Sequence, residues 1–206
     1  TYHSWKRISS TCERWNSTFL EPQGNKSLEM TKSVRDFSGG VIPSEFLKSY
    51  HLTGESHRLS VSLKTNTGHT ISTDVPKTMG GQDTSPQPVE MLLASWIGCT
   101  HVTALYVGRM MEPRISIARM EFDVSAYRDE RGALELPISV RPAIPAMLTS
   151  IQGSIRVHIK KGSVSQDQLQ NLAEITEYRC PIANMIIQSG CAIDVEWKIG
   201  NQVAET

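Results

Sequence analysis

The chain is predicted to fold as an α+β domain, an antiparallel sheet packed on two main helices, a long central one and a kinked second one. Three features predict it. Short alternating strand patterns come in runs rather than one by one between helices, which segregates strands from helices in space. Residues 89–111 form an apolar segment too long for a strand. A second helical pattern, beginning near Ser165, meets Pro181 and must break or bend there.

Each element has a local cause. Residues 50–53 and 59–63 alternate or nearly alternate, with Gly54, Glu55, Ser56 and His57 read as the turn between them. Asn66, Thr67 and Gly68 turn the chain into a third strand at residues 69–75, completing an antiparallel meander. A loop with Gly80, Gly81 and Pro86 leads to the long helix, where Pro88 suits the first turn and Ser85 or Gln87 is the cap. At the α-helical rise this helix is roughly 35 Å long. Apolar residues on nearly every face mark it as buried on all sides. One small sheet covers one side only, so a second subunit is the natural source of the remaining cover.

Strands at residues 119–128 and 154–161 flank a segment, 129–152, whose Pro137, Pro142 and Pro145 exclude a regular helix throughout; it reads as an extended hairpin tip or lid. After Ser165, the residues Leu169, Leu172, Ala173, Ile175 and Thr176 trace one broad helical face as far as Arg179. Beyond Pro181 the chain resumes through Ile182, Met185 and Ile186 to Gly190, and residues 192–199 alternate as a closing strand.

Residues 46–200 are the expected domain, with 1–45 an N-terminal arm and 201–206 a tail. The arm lacks the apolar core of a secretory signal. Its Lys6, Arg7 and Arg14 suit a mitochondrial presequence, Glu13, Glu21 and Glu29 weaken that reading, and an arm packed loosely on the domain is the alternative, so the cytoplasm and the mitochondrial matrix are both expected locations.

The 21 Lys and Arg balance 21 Asp and Glu, which removes the electrostatic case for nucleic acid or an anionic membrane as partner. No apolar stretch is expected to approach the roughly 20 residues that span a bilayer, so the protein reads as soluble. There is no CxxC and no HxxxH, hence no expected metal. No bound cofactor is expected either.

Cysteines carry the chemistry. Cys12, Cys99, Cys180 and Cys191 are unevenly spaced in a chain too large to need stapling, which favours working thiols over structural disulfides. Cys99 lies late in the apolar helix and Cys180 opens a second such segment, so each thiol is placed to meet an oily substrate. Free cysteine is also among the most buried residue types, and packing is the plainer role. Cys180, next to Pro181 at a helix start, has free N–H groups and the helix dipole to favour its anion. Cys12 and Cys191 read as structural or incidental, although Cys191 is near enough in sequence to Cys180 to compete in disulfide exchange.

Gly80-Gly81, the run from Ser85 to Ala94, then Gly98-Cys99-Thr100 and, far downstream, Cys180-Pro181-Ile182 together resemble the OsmC/Ohr superfamily, in particular its OsmC-like branch, over roughly residues 50–199. The resemblance implies an intertwined homodimer whose long helices cross at the centre, with two active sites at the interface. It implies a thiol-dependent peroxidase for organic or lipid hydroperoxides. Cys99 matches the cysteine that attacks peroxide and becomes a sulfenic acid; Cys180 matches the one that condenses with it into a disulfide. An external dithiol protein, of lipoyl or thioredoxin type, is the implied reductant.

A thiolate, not a thiol, attacks peroxide. In hydroperoxide reductases of the family an arginine in the first strand-to-strand turn, held by a glutamate of the helix motif, stabilises it. Glu90 matches that glutamate, but nine residues at about 100° each put it nearly opposite Cys99 on an ideal helix, so it acts only across a dimer or through another residue. The turn at residues 54–57 has no arginine, and Arg58 lies late; Arg179 and His101 are the other candidates, and nothing in the sequence selects among the three. A competing reading is a non-catalytic dimeric protein binding a small hydrophobic ligand at the subunit interface.

Overall fold

The computed structural model describes residues 34–201. The chain divides into two compact units, residues 1–49 and 50–206. Most of the expected arm, Cys12 and the tail beyond Asn201 lie outside the described residues. In the described part of the first unit, Asp36 Oδ1 accepts from Ser38 N (2.9 Å), Ser38 Oγ (2.7 Å) and Gly40 N (2.8 Å), closing a tight turn between the bridged residues Arg35 and Val41.

The second unit opens with the meander: β1 (Leu52–His57), β2 (Ser60–Thr65) and β3 (Thr70–Thr73), each antiparallel to the next. The first turn is not where the sequence suggested. Residues 54–57 are strand, paired with residues 60–63 of β2, and the reversal falls on Arg58 and Leu59. Gly54 looks like a turn residue but serves the pairing, because a Cβ there would sit 2.5 Å from the Leu63 side chain. Arg58 takes up the positive φ of the turn (53°).

Between β3 and the long helix, the loop is folded around Asp74. This buried carboxylate accepts from Val75 N (2.8 Å), Gln82 N (3.2 Å), Thr84 N (3.1 Å) and Thr84 Oγ1 (2.9 Å). Those donors, Val75 N foremost, hold it below the usual carboxylate range. The contribution of this cluster to stability is therefore complete above the ordinary carboxylate pKa and is lost as pH falls through the lowered one. Gly81 is required here: any Cβ would lie 1.9 Å from the Val75 carbonyl oxygen.

Helix α1 (Pro88–Met110) begins as expected with Pro88 in its first turn and Gln87 as cap, and Glu90 accepts from Gln87 N (2.8 Å). At 23 residues it is long and apolar enough, by length and composition, to cross a bilayer, contrary to the sequence expectation. It is nonetheless packed as a core helix, with Trp96, Thr100, Ala104, Val107 and Gly108 buried. Nor is it covered on every side within one chain. Leu92, Val102 (65 % exposed), Tyr106 and Met110 (69 %) stay open, and with Cys99 they fall within about 80° of the helix circumference.

The remaining elements are β4 (Ser116–Arg128), the short α2 (Arg131–Leu134), β5 (Leu148–Lys161), α3 (Gln166–Arg179), α4 (Pro181–Gln188) and β6 (Ala192–Ile199). Both hairpin strands run longer than their sequence pattern, shortening the proline-bearing tip to residues 129–147. At its start the Arg131 guanidinium holds the Asp129 carboxyl down to about 2. The architecture is α+β, with two three-stranded sheets, β1-β2-β3 and β4-β5-β6. Three of the four strand pairings are antiparallel; β6 lies parallel to β5, because α3 and α4 form the crossover between them.

The core lies where α1, α3 and α4 meet the second sheet. Ile151, Ile155 and Val157 of central β5 are fully buried, as are Leu169 and Leu172 of α3. Ile155→Ala is expected to cost about 2–5 kcal/mol in unfolding free energy, measured by urea denaturation; a loss under 1 kcal/mol would mean that β5 is not the centre of the core.

Candidate functional site

Pro181 breaks the second helical pattern into two helices, and Cys180 sits at the break, at once the C-cap of α3 and the N-cap of α4. Asn184 fixes the bend. Its Nδ2 donates to the carbonyls of Glu177 (3.1 Å), Tyr178 (3.1 Å) and Cys180 (2.9 Å), satisfying the orphan acceptors at the end of α3. Ser165 caps the other end of α3 through Gln168 N (3.1 Å), while Gln168 Oε1 accepts from Ser165 N (2.8 Å).

Helix α1 packs on both α3 and α4, and this brings the two cysteines together. Cys180 is fully buried and Cys99 half-buried, both thiols free. The two side chains are close enough for Cys99 to contribute to raising the Cys180 pKa. Some 80 residues of chain separate them in sequence.

The helix-start argument for a stabilised Cys180 anion is overturned. Ala183 N does donate to Cys180 Sγ (3.4 Å), and Ile182 N also favours the anion. Burial outweighs both, and the neighbouring Cys99 adds to it, so the Cys180 thiol is pushed above its ordinary range. At neutral pH it is a thiol. Cys191, buried just before β6, is likewise pushed up by burial.

Glu90 stands apart from the pair. Its carboxylate closes the first turn of α1, about 13 Å along the axis from Cys99 and on the opposite side of the helix. Arg58 forms the β1–β2 turn, the position at which the family resemblance asks for an arginine and at which the sequence reading did not find one. Arg179 is exposed at the end of α3, and His101 is half-buried on α1. Sequence reasoning missed Asn184. Its one signal is its place in the first turn after Cys180-Pro181, where an amide can fold back onto the preceding helix.

Residues 81–196, more than half the chain, match the family described as OsmC-like protein, and the chain belongs to that family. Solved structures with this fold include an OsmC-like protein from Mycoplasma pneumoniae (18 % identity, covering 76 % of this chain and 99 % of that one, TM-score 0.53). An organic hydroperoxide resistance protein OsmC from Legionella pneumophila is similar at 18 % identity, 74 % and 98 % coverage and TM-score 0.52. An organic hydroperoxide resistance protein from Elizabethkingia anophelis is similar at 14 % identity, 75 % and 98 % coverage and TM-score 0.54. No curated protein matches the chain in sequence.

The different burial of the two thiols predicts their order of alkylation. With limiting iodoacetamide at pH 7, peptide masses should show Cys99 modified first, and Cys180 only on unfolding or well into the alkaline range. Equal labelling of the two would contradict the environments described.

Proposed function

We propose that the protein is a thiol peroxidase that reduces organic or lipid hydroperoxides. The observation that supports it most is the pairing of a partly accessible Cys99 with a buried, protonated neighbour, Cys180, on an apolar helix. In the first step the Cys99 thiolate attacks the outer peroxide oxygen. The O–O bond breaks, the alkoxide leaves and takes a proton to become the alcohol, and Cys99 becomes a sulfenic acid. Next, the Cys180 sulfur attacks the sulfenic sulfur. A disulfide forms, the Cys180 proton and the sulfenic hydroxyl leave as water, and an external dithiol then reduces the disulfide by exchange.

Burial of Cys180 suits a resolving role. A thiol that stays protonated until its partner is oxidised does not compete for peroxide, and its nearness limits further oxidation of the sulfenic acid. The apolar stripe of α1, on which Cys99 lies, supports assembly as a homodimer through this helix, with apolar walls for the organic part of the peroxide. In that dimer Arg58, at the hairpin tip, is our choice for the cation that stabilises the Cys99 thiolate.

One equivalent of cumene hydroperoxide added to the reduced protein should yield a disulfide linking the peptides of Cys99 and Cys180. Cys180→Ser should leave a sulfenic acid on Cys99 that dimedone traps. If neither cysteine oxidises faster than free glutathione, the protein instead binds a ligand without redox chemistry. Arg58→Ala should slow Cys99 oxidation about tenfold or more, the effect of one pKa unit on the thiolate fraction, with Arg58→Lys partly restoring it. Stopped-flow rates unchanged in Arg58→Ala would exclude that residue.

A further inference from the structure

Pro181 leaves the end of α3 short of donors. In an unbroken helix the amide of residue 181 would meet the Glu177 carbonyl, and that of residue 182 the Tyr178 carbonyl. Pro181 has no N–H, and the Ile182 amide is turned to the Cys180 sulfur instead. The Asn184 side chain replaces both donors, its Nδ2 lying 3.1 Å from each of those two carbonyl oxygens. With the Cys180 carbonyl at 2.9 Å as a third acceptor, only the amide nitrogen can face this way, because the amide oxygen has no hydrogen to donate.

Asn184 also grips Cys180 twice. Its backbone N–H donates to the Cys180 carbonyl at 3.0 Å, beside Nδ2, so both lone pairs of that oxygen are engaged. Cys180 N in turn donates to Thr176 O at 2.9 Å. The backbone of Cys180 is thus tied on both sides, whereas its sulfur takes a 3.4 Å contact from Ala183 N. Sulfur is a weak acceptor, so turning the side chain about Cα–Cβ costs less than moving the backbone. A disulfide tolerates little displacement, since its Cα atoms must come within about 4.4–6.8 Å with a torsion near 90°.

We propose that Asn184 is a positioning residue for disulfide formation, pinning the Cys180 backbone while its sulfur swings from Ala183 N to Cys99. This rests on the thiol pairing proposed above. The sulfur displaces hydroxyl from the sulfenic Cys99: the S–S bond forms, the S–O bond breaks, and the hydroxyl leaves as water with the Cys180 proton. Helices α3 and α4 stay wound throughout, because the carbonyls at their junction keep their donors.

Glutathione redox buffer tests the positioning without peroxide. Glutathione disulfide oxidises the Cys99 and Cys180 thiols to their disulfide and leaves two molecules of glutathione, so the equilibrium gives the effective concentration of one thiol at the other. In the full-length protein, with the linked peptides read by mass, Asn184→Ala should lower that concentration about tenfold, the effect of one lost hydrogen bond. Asn184→Asp keeps the shape without the donors and should match it. Asn184→Ser, whose hydroxyl can bond the carbonyl four residues back, should fall between and covers the case of an alanine variant that does not fold. With cumene hydroperoxide, the alanine and aspartate variants should slow disulfide formation about tenfold relative to sulfenic acid formation, and dimedone should trap correspondingly more Cys99. A lowered melting temperature with an unchanged effective concentration would overturn the proposal and leave Asn184 a purely structural cap; so would a wild-type protein that forms no Cys99–Cys180 disulfide in oxidised glutathione. Failure of the peroxidase reading shows differently, as a wild-type disulfide that glutathione forms and cumene hydroperoxide does not.

Discussion

The arrangement of this molecule depends on the contact of α1 with the bend between α3 and α4. Pro181 forces the bend, Asn184 ties off the carbonyls it exposes, and the break leaves Cys180 facing inward with no exposed surface. Packing α1 into that bend buries Trp96, Thr100 and Ala104 and carries Cys99 to the edge of the same contact. A straight second helix would not present Cys180 to α1 in this way, because its N–H and sulfur would follow the helical register instead of capping a new helix. The thiol pair is thus a product of helix termination as much as of cysteine placement.

The same contact divides α1 into two working faces. The face toward α3 is buried, and Thr100 on it, like Thr176 of α3, keeps a hydroxyl with no hydrogen-bond partner. Opposite in character, the stripe from Leu92 through Cys99 to Met110 is apolar and open. Cys99 therefore lies half-buried between the open stripe and the buried Cys180, while its immediate successor, Thr100, is fully inside. A rotation of about 100° per residue separates the two surroundings.

Electrostatics follow burial more than local dipoles. The N-terminus of α4 donates to Cys180, yet desolvation decides its state. Glu177 follows the same rule. Asp74 goes the other way although it too is buried, because four donors from its own loop meet its two oxygens. The difference is the number of hydrogen bonds aimed at the charged form.

Much of this was legible in the sequence. Periodicity marked α1, α3 and β6, Pro88 and Ser165 marked helix starts, and Pro181 marked the break, because each is a local preference that tertiary packing did not oppose. Spaced motifs around Cys99 and Cys180 were enough to suggest the family. What was misread was local chemistry that pairing overrode: Gly54 was taken into β1 by its neighbour β2, moving the turn to Arg58. Parallel pairing of β6 with β5, the inward cluster at Asp74, the orphan hydroxyls and the protonated state of Cys180 were decided by tertiary structure alone. Each is set by atoms distant in the chain, through cross-strand register, converging donors or loss of water, and no local pattern of residues records these.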